Sequence, residues 1–304
     1  MSEVVQQGLG RTNASERHND VFALVLLIVS ALIFSTGALF VRSLDTAGAW
    51  TTVFWRSVAA GISLCLVILW RDSVNPVRAM VAMGPPGWSV AASFSVSSIA
   101  MVVALTKTSV AIVLVIFALS PLFAAVMAWF LIRERVQNYT RAAIAVTVLG
   151  VAFMVSGQGR DASVAGVLVA FTIPLAFGYG AVMIRRHAEI AMAPAMLLAT
   201  VFSAVVALPF ARPLDVTRHD LLILLAFGFA QLGVGLAVFS VGAARVAATD
   251  VALISMLEPI MGPIWVWVFL DEYPGVAALI GGAVVFSALA IHTLYAARAV
   301  ERRA

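Results

Sequence analysis

Ten apolar stretches, at residues 21–41, 49–70, 88–106, 109–132, 139–156, 163–184, 191–210, 220–243, 247–270 and 275–297, occupy almost the whole chain. Each approaches or exceeds the about 20 apolar residues that carry a helix across a bilayer. In hydrocarbon the backbone N–H and C=O groups of such a stretch must be bonded within their own segment, which a helix does. The chain is therefore expected to be an all-α polytopic membrane protein with ten transmembrane helices. A soluble globule is excluded by the 62% hydrophobic and 11% charged residues, because soluble domains carry about 25% charged residues. So little chain is left over that no soluble catalytic or nucleotide-binding domain fits.

Residues 1–20 form a polar tail and 298–304 a short second one. The first apolar run exceeds the core of a signal peptide and has no small-residue cleavage site behind it, so it reads as a retained first span. Of the 19 Lys and Arg, 13 fall on the tails and the links at 71–87, 133–141, 185–190 and 244–246. Five fall on the alternate links, and Arg56 lies within a span. By the positive-inside rule both termini are expected to be cytoplasmic.

Several chemistries lose their basis. Cys65 is the single cysteine, so neither an intramolecular disulfide nor a thiol metal site is expected. His18, His187, His219 and His292 are scattered, and no metal or other cofactor is called for. There is no phosphate-binding G-x-x-x-x-G-K loop, no H-E-x-x-H and no G-x-S-x-G, which speaks against an ATP-driven pump and against the commoner hydrolases. No basic stripe interleaved with aromatics suggests nucleic acid.

The chain repeats itself. An offset of 138 places Lys107 on Arg245, Leu119 on Leu257, Pro121 on Pro259, Trp129 on Trp267 and Glu134 on Glu272 without a gap. An offset of 143 places Phe34, Gly37 and Arg42 on Phe177, Gly180 and Arg185. The boundaries expected are a first five-helix repeat over 21–160 and a second over 161–297. Five is odd, so the second half enters the membrane from the other side, the inverted-repeat arrangement of alternating-access carriers.

Certain side chains stand out against this apolar background. Glu258 lies eleven residues into its stretch, roughly 16 Å deep, where an acid is costly unless paired, hydrated or protonated. Its helical face reads Val251, Ser255, Glu258, Gly262, Trp265, which suits a cavity wall. Binding substrate and capping the carbonyls freed by Pro259 are both open to it. Arg56, roughly 11 Å from the outer boundary, could snorkel to water, fix a carboxylate, or pair with Glu258. Ser93 and Ser97 share a stripe with Ala100 and Ala104, and Gln231 and Gly235 occupy the same places at offset 138; close packing and a cavity are both compatible with such a stripe. Pro121, Pro174, Pro259 and Pro263 are expected to interrupt their spans, and carriers place binding sites at such breaks. Phe34, Phe177, Tyr179 and Trp265 could supply an aromatic wall, with the Tyr179 hydroxyl needing a partner at depth.

The run Thr108 to Ala111, through Ala118, Leu119, Ser120, Pro121, Leu122 and Phe123 to Ala128, Trp129 and Arg133, Glu134, Arg135, resembles the fourth-span signature of the EamA branch of the drug/metabolite transporter superfamily. Asp250 to Ile254, through Leu257, Glu258 and Pro259 to Asp271 and Glu272, resembles its ninth-span signature, and Phe54, Trp55, Arg56, Ser57 resembles the motif opening its second span. The chain departs from the usual Gly-Glu-Arg close of the repeats, with Arg133 in one and Asp271 and Tyr273 in the other. The resemblance implies a bacterial inner-membrane carrier, many relatives exporting amino acids and related metabolites. Its partners would be a small-molecule substrate and the lipid bilayer, and a monomer suffices. A broad drug or nucleobase exporter is the alternative within the class; a membrane receptor or scaffold and an intramembrane enzyme are those outside it.

Overall fold

The computed structural model describes residues 22–71, 74–133, 137–156, 163–187, 192–243, 251 and 254–301. The tail 1–20, the charged close Glu134 and Arg135, the gap around Arg245, and Asp250, Ala252 and Leu253 lie outside the described residues. Every regular element among the described residues is helical.

Seven helices are long and apolar enough to cross a membrane: α1 (Phe22–Arg42), α2 (Ala49–Trp70), α3 (Gly84–Leu105), α5 (Asn138–Ser156), α6 (Val164–Arg186), α8 (Arg218–Phe239) and α10 (Val276–Tyr295). Between α3 and α5 lies α4, a pair of segments, Val110–Ala118 and Ser120–Ile132, bent by 42° and able to serve as an eighth span. Two apolar helices are shorter, α7 (Ala193–Ala207) and α9 (Leu257–Leu270). The link between α2 and α3, read from sequence as a loop, holds a further helix, Pro76–Ala82. It is capped by Asn75, whose side chain accepts from the N–H groups of Val77 and Arg78, and it buries none of its residues. At seven residues it is far shorter than a span, so a reading for membrane-crossing length passes over it.

The bend of α4 follows from Pro121. With no N–H, Pro121 cannot bond the carbonyl of Phe117, and the Ser120 hydroxyl donates to that carbonyl instead. The second half repeats the break, with a turn at Met256 just before α9 and Pro259 in the first turn that follows. Pro174 and Pro263 behave otherwise than expected: α6 and α9 run through them unbroken, since a single lost backbone bond is tolerated where neighbouring helices support the rest.

The two halves exchange equivalent contacts. The last turns of α1 pack on α9 as α6 packs on the second segment of α4, α2 packs on α8 as α7 packs on α3, and α5 pairs with α10. The first segment of α4 is buried from Val110 through Ile116, surrounded by α5, α6, α9 and α10. Finer details repeat as well. A Cβ on Gly37 would lie 2.9 Å from Gln231 Nε2, and one on Gly180 would lie 2.6 Å from Ser93 Oγ; these are the same contact in the two halves. Arg133 and Asp271, which end α4 and α9, both take φ 54°.

Helix directions follow from contacts at the ends. Arg42, in the last turn of α1, donates to the carbonyl of Thr108, before α4, while Lys107 lies within 3.0 Å of a Cβ placed on Gly166 in the first turn of α6. The repeat partners α1 and α6 therefore run in opposite directions, one ending where the other begins. Thr140, early in α5, meets His292, late in α10, at 3.1 Å.

Candidate functional site

The sequence Phe34-Ser35-Thr36-Gly37 interrupts α1. The hydroxyls of Ser35 and Thr36 turn back to the carbonyls of Leu32 and Ile33 at 2.7 and 2.6 Å, competing with the backbone ladder. The carbonyl of Phe34 accepts instead from Gln231 Nε2 of α8 at 3.0 Å. Trp265 of α9 donates its indole N–H to Ser35 Oγ at 2.8 Å. Glycine permits this approach: a side chain on Gly37 would collide with Gln231, and one on Gly262 with Leu114. Gln231 belongs to a π-helical stretch, Phe227–Val234, a local widening frequent at functional sites.

One turn before Gln231, Phe227 lies under the Arg56 guanidinium, 4.6 Å from ring centroid to Cζ. Arg56 Nη1 donates to Ser98 Oγ of α3 at 2.8 Å. With 8% of its surface exposed, Arg56 points between α3 and α8 rather than snorkelling to water, because Phe227 and Ser98 supply a nearer partner for the cation than the surface does. Gly228 makes room, since a Cβ there would stand 2.3 Å from the Arg56 carbonyl. Glu258, half-buried in the first turn of α9, interacts electrostatically with Arg56. The pair forms no ion pair within contact distance, and Glu258 has no hydrogen bond to a described residue. Two further buried polar atoms in the cluster are unpartnered, Arg56 Nε and Gln231 Oε1. A buried group left unsatisfied costs about 1–3 kcal/mol, so a donor, an acceptor and a carboxylate together favour a polar guest.

These three side chains break the repeat. At the offsets of the repeat, Arg56 falls on Ala199, Glu258 on Ser120 and Gln231 on Ser93. A near two-fold scaffold thus holds a charged, asymmetric centre.

Arg56, Gln231, Glu258, Phe34 and Trp265 come together at the breaks of α1 and α9. Ser93, Ser97 and Phe177 line the α3–α6 contact. Ser93 Oγ bonds the Val90 carbonyl of its own helix, and Ser97 Oγ bonds the Ile173 carbonyl of α6 at 3.2 Å. Phe177 sits edge-on to Phe94 and Phe117 at 5.5 and 5.8 Å. Tyr179 is half-buried and makes no hydrogen bond to a described residue. Sequence reading missed Ser98, Ser35 and Phe227, whose importance rests on partners from other helices.

It also missed Asp220, whose carboxylate is fully buried and accepts from the N–H groups of Asp45, Thr46 and Ala47 at 2.9–3.0 Å and from the Thr46 hydroxyl at 2.7 Å. Thr217, three residues earlier, caps α8 by accepting from the Asp220 N–H, and that Thr-x-x-Asp spacing was the available signal. Asp45, His219 and Asp220 could together offer ligands to a cation, but four donors already occupy the Asp220 oxygens. An outward groove of about 440 Å³ between α2 and α8, lined by Ala59, Ile62, Leu222, Leu225, Ala226 and Phe229, has no polar side chain to hold a solute.

The family model for EamA-like transporters matches residues 21–156 and, a second time, residues 164–294. A protein of known crystal structure is 21% identical to this chain, covering 91% of it and 98% of its own length, with a TM-score of 0.65; at that identity the likeness speaks for the fold alone. None of the curated proteins matches. Two tandem copies of the family's domain, over nearly all of a chain of apolar helices, make this a multi-pass membrane protein that belongs to the EamA-like transporter family.

Proposed function

We propose that the protein is a secondary carrier that exports amino acids, or similarly small amphipathic metabolites, across the bacterial inner membrane by alternating access. In this reading the chain crosses ten times, α7 and the broken α4 and α9 counting as crossings, with both termini cytoplasmic as the charge bias indicates. The two inverted halves open a central site to one face and then the other.

The observation that carries the reading is the asymmetric centre. Arg56 and Glu258 approach each other without pairing, and each has an unmet demand: a hydrogen-bond acceptor for Arg56 Nε and a cation for Glu258. An α-amino acid meets both, its carboxylate on Arg56 and its ammonium on Glu258, with Gln231 Oε1 as a second acceptor for the ammonium. Phe227, Phe34 and Trp265 accommodate the apolar remainder. A cationic drug would satisfy Glu258 and leave Arg56 unanswered, which favours zwitterions.

Purified protein in liposomes loaded with a panel of amino acids and cationic drugs tests this. Efflux of zwitterionic amino acids is expected, with little movement of their esterified or N-acetylated forms. Efflux of cationic drugs alone, or of neither group, would refute the substrate assignment.

A further inference from the structure

Several contacts fasten the halves at the end of the molecule where α1 finishes, among them the Trp55 indole N–H on the Pro213 carbonyl and the Arg212 N–H on the Thr51 hydroxyl, and two of the fastenings differ most in strength. The Asp220 cradle is one. Its carboxylate is 0% exposed and holds four donors from residues 45–47; opening it would strand a buried charge and three backbone N–H groups. The other is the ion pair of Arg42 Nε with Glu272 Oε2 at 3.2 Å, whose side chains are 29% and 35% exposed. Arg42 also donates to the Thr108 carbonyl at 3.0 Å. Both side chains keep partial access to water, and Arg42 Nε, itself shielded, completes no hydrogen bond across the pair, so separating them gives up less than opening the cradle does.

The two fastenings also join different segments. The cradle ties the link before α2 to the first turn of α8, whereas Arg42 ties the end of α1 to the residue pair after α9 and to the turn before α4. Beneath Arg42, Phe40 stacks on Phe227 with ring centroids 5.4 Å apart, and Phe227 is the ring under Arg56. The last turns of α1 thus carry both the ion pair and a ring that touches the charged centre.

We propose that Arg42 and Glu272 form a releasable latch that shuts this end of the transport path, and that the Asp220 cradle is the fixed hinge about which the end opens. The proposal rests on the alternating-access reading and adds the contacts that break and hold. A gate has to open at little cost without the halves coming apart, and a solvated pair beside a fully bonded buried carboxylate provides both conditions. Opening moves the end of α9 and the turn before α4 away from α1, while the link at 45–47 stays on α8.

The test uses the full chain with Cys65→Ala and one of two reporter cysteines, Phe40→Cys beneath the latch or Met183→Cys at the equivalent place near the other end of α6. Labelling rates with a water-soluble maleimide are measured on purified protein. Arg42→Glu is expected to speed labelling at 40 about fivefold, the shift a weak ion pair supports, and to slow it at 183. The exchanged pair Arg42→Glu with Glu272→Arg should bring the rates part of the way back, since Glu at 42 cannot donate to the Thr108 carbonyl. Unchanged labelling at 40 with melting temperature retained overturns the latch, as does an exchanged pair that labels no more slowly at 40 than Arg42→Glu alone. A rise at 40 with no fall at 183 keeps the latch and refutes alternation, so the two readings fail separately. Asp220→Ala should lower the melting temperature and raise labelling at both positions; a rise at 40 alone, with stability kept, overturns the hinge.

Discussion

Arg56 and Glu258, on α2 of the first half and α9 of the second, act on each other electrostatically without closing an ion pair. Each is held from its own side: Arg56 by Ser98 and the Phe227 ring, Glu258 by the first turn of α9, where the positive end of the helix faces a carboxylate. In the proposed function, a guest with one charge of each sign would answer both.

Neutralising the acid should therefore remove the ammonium subsite and little else. Glu258→Gln is expected to lower amino-acid transport per folded molecule by about tenfold or more, since a lost charged contact is worth roughly 1.5–3 kcal/mol. Melting temperature should hold, because no described residue hydrogen-bonds the Glu258 side chain. Liposome efflux and thermal unfolding of one preparation measure both; unchanged transport would remove Glu258 from the site.

Arg56→Lys keeps the charge but loses the planar fork that spans Ser98 and the Phe227 face. Transport should fall although the charge remains, because an ammonium cannot reproduce both contacts and the free Nε donor. Wild-type transport in the lysine variant would show that only charge matters at this position.

Gly228→Ala places a Cβ 2.3 Å from the Arg56 carbonyl and 2.6 Å from Ala59 Cβ. Backbone has to move apart there, so a loss of about 1–3 kcal/mol is expected from overpacking, read as a lowered melting temperature. Gly48→Ala, where a Cβ meets nothing within 4 Å, is the matched control and should melt close to wild type.

Orientation is checked with single cysteines in a Cys65→Ala background. An impermeant thiol reagent added to intact cells should label Gly275→Cys and spare Asn138→Cys. The reverse pattern would overturn the cytoplasmic placement of the termini that the distribution of Lys and Arg suggests.

The apolar runs, the two-fold repeat and the breaks at Pro121 and Pro259 were legible in the sequence, because each depends on a local property: hydrophobic length, in-register matches, or a missing N–H. Glu258, Gln231 and Arg56 could also be singled out, since a polar side chain in an apolar run is conspicuous without any knowledge of its neighbours. What they touch was decided only by tertiary structure. Ser98 matters because α3 brings it to Arg56 across 42 positions of chain, and Gln231 finds the Phe34 carbonyl across 197. Asp220, three residues after Thr217, carries only a helix-start spacing in sequence; it is buried because the link at 45–47 wraps its backbone N–H groups around the carboxylate. Pro174 and Pro263 show the converse, since nothing local distinguishes them from Pro121, yet their helices stay whole within the packing of their neighbours. A sequence specifies what each residue needs, and only the assembled helices decide which need is met by protein and which stays open for a guest.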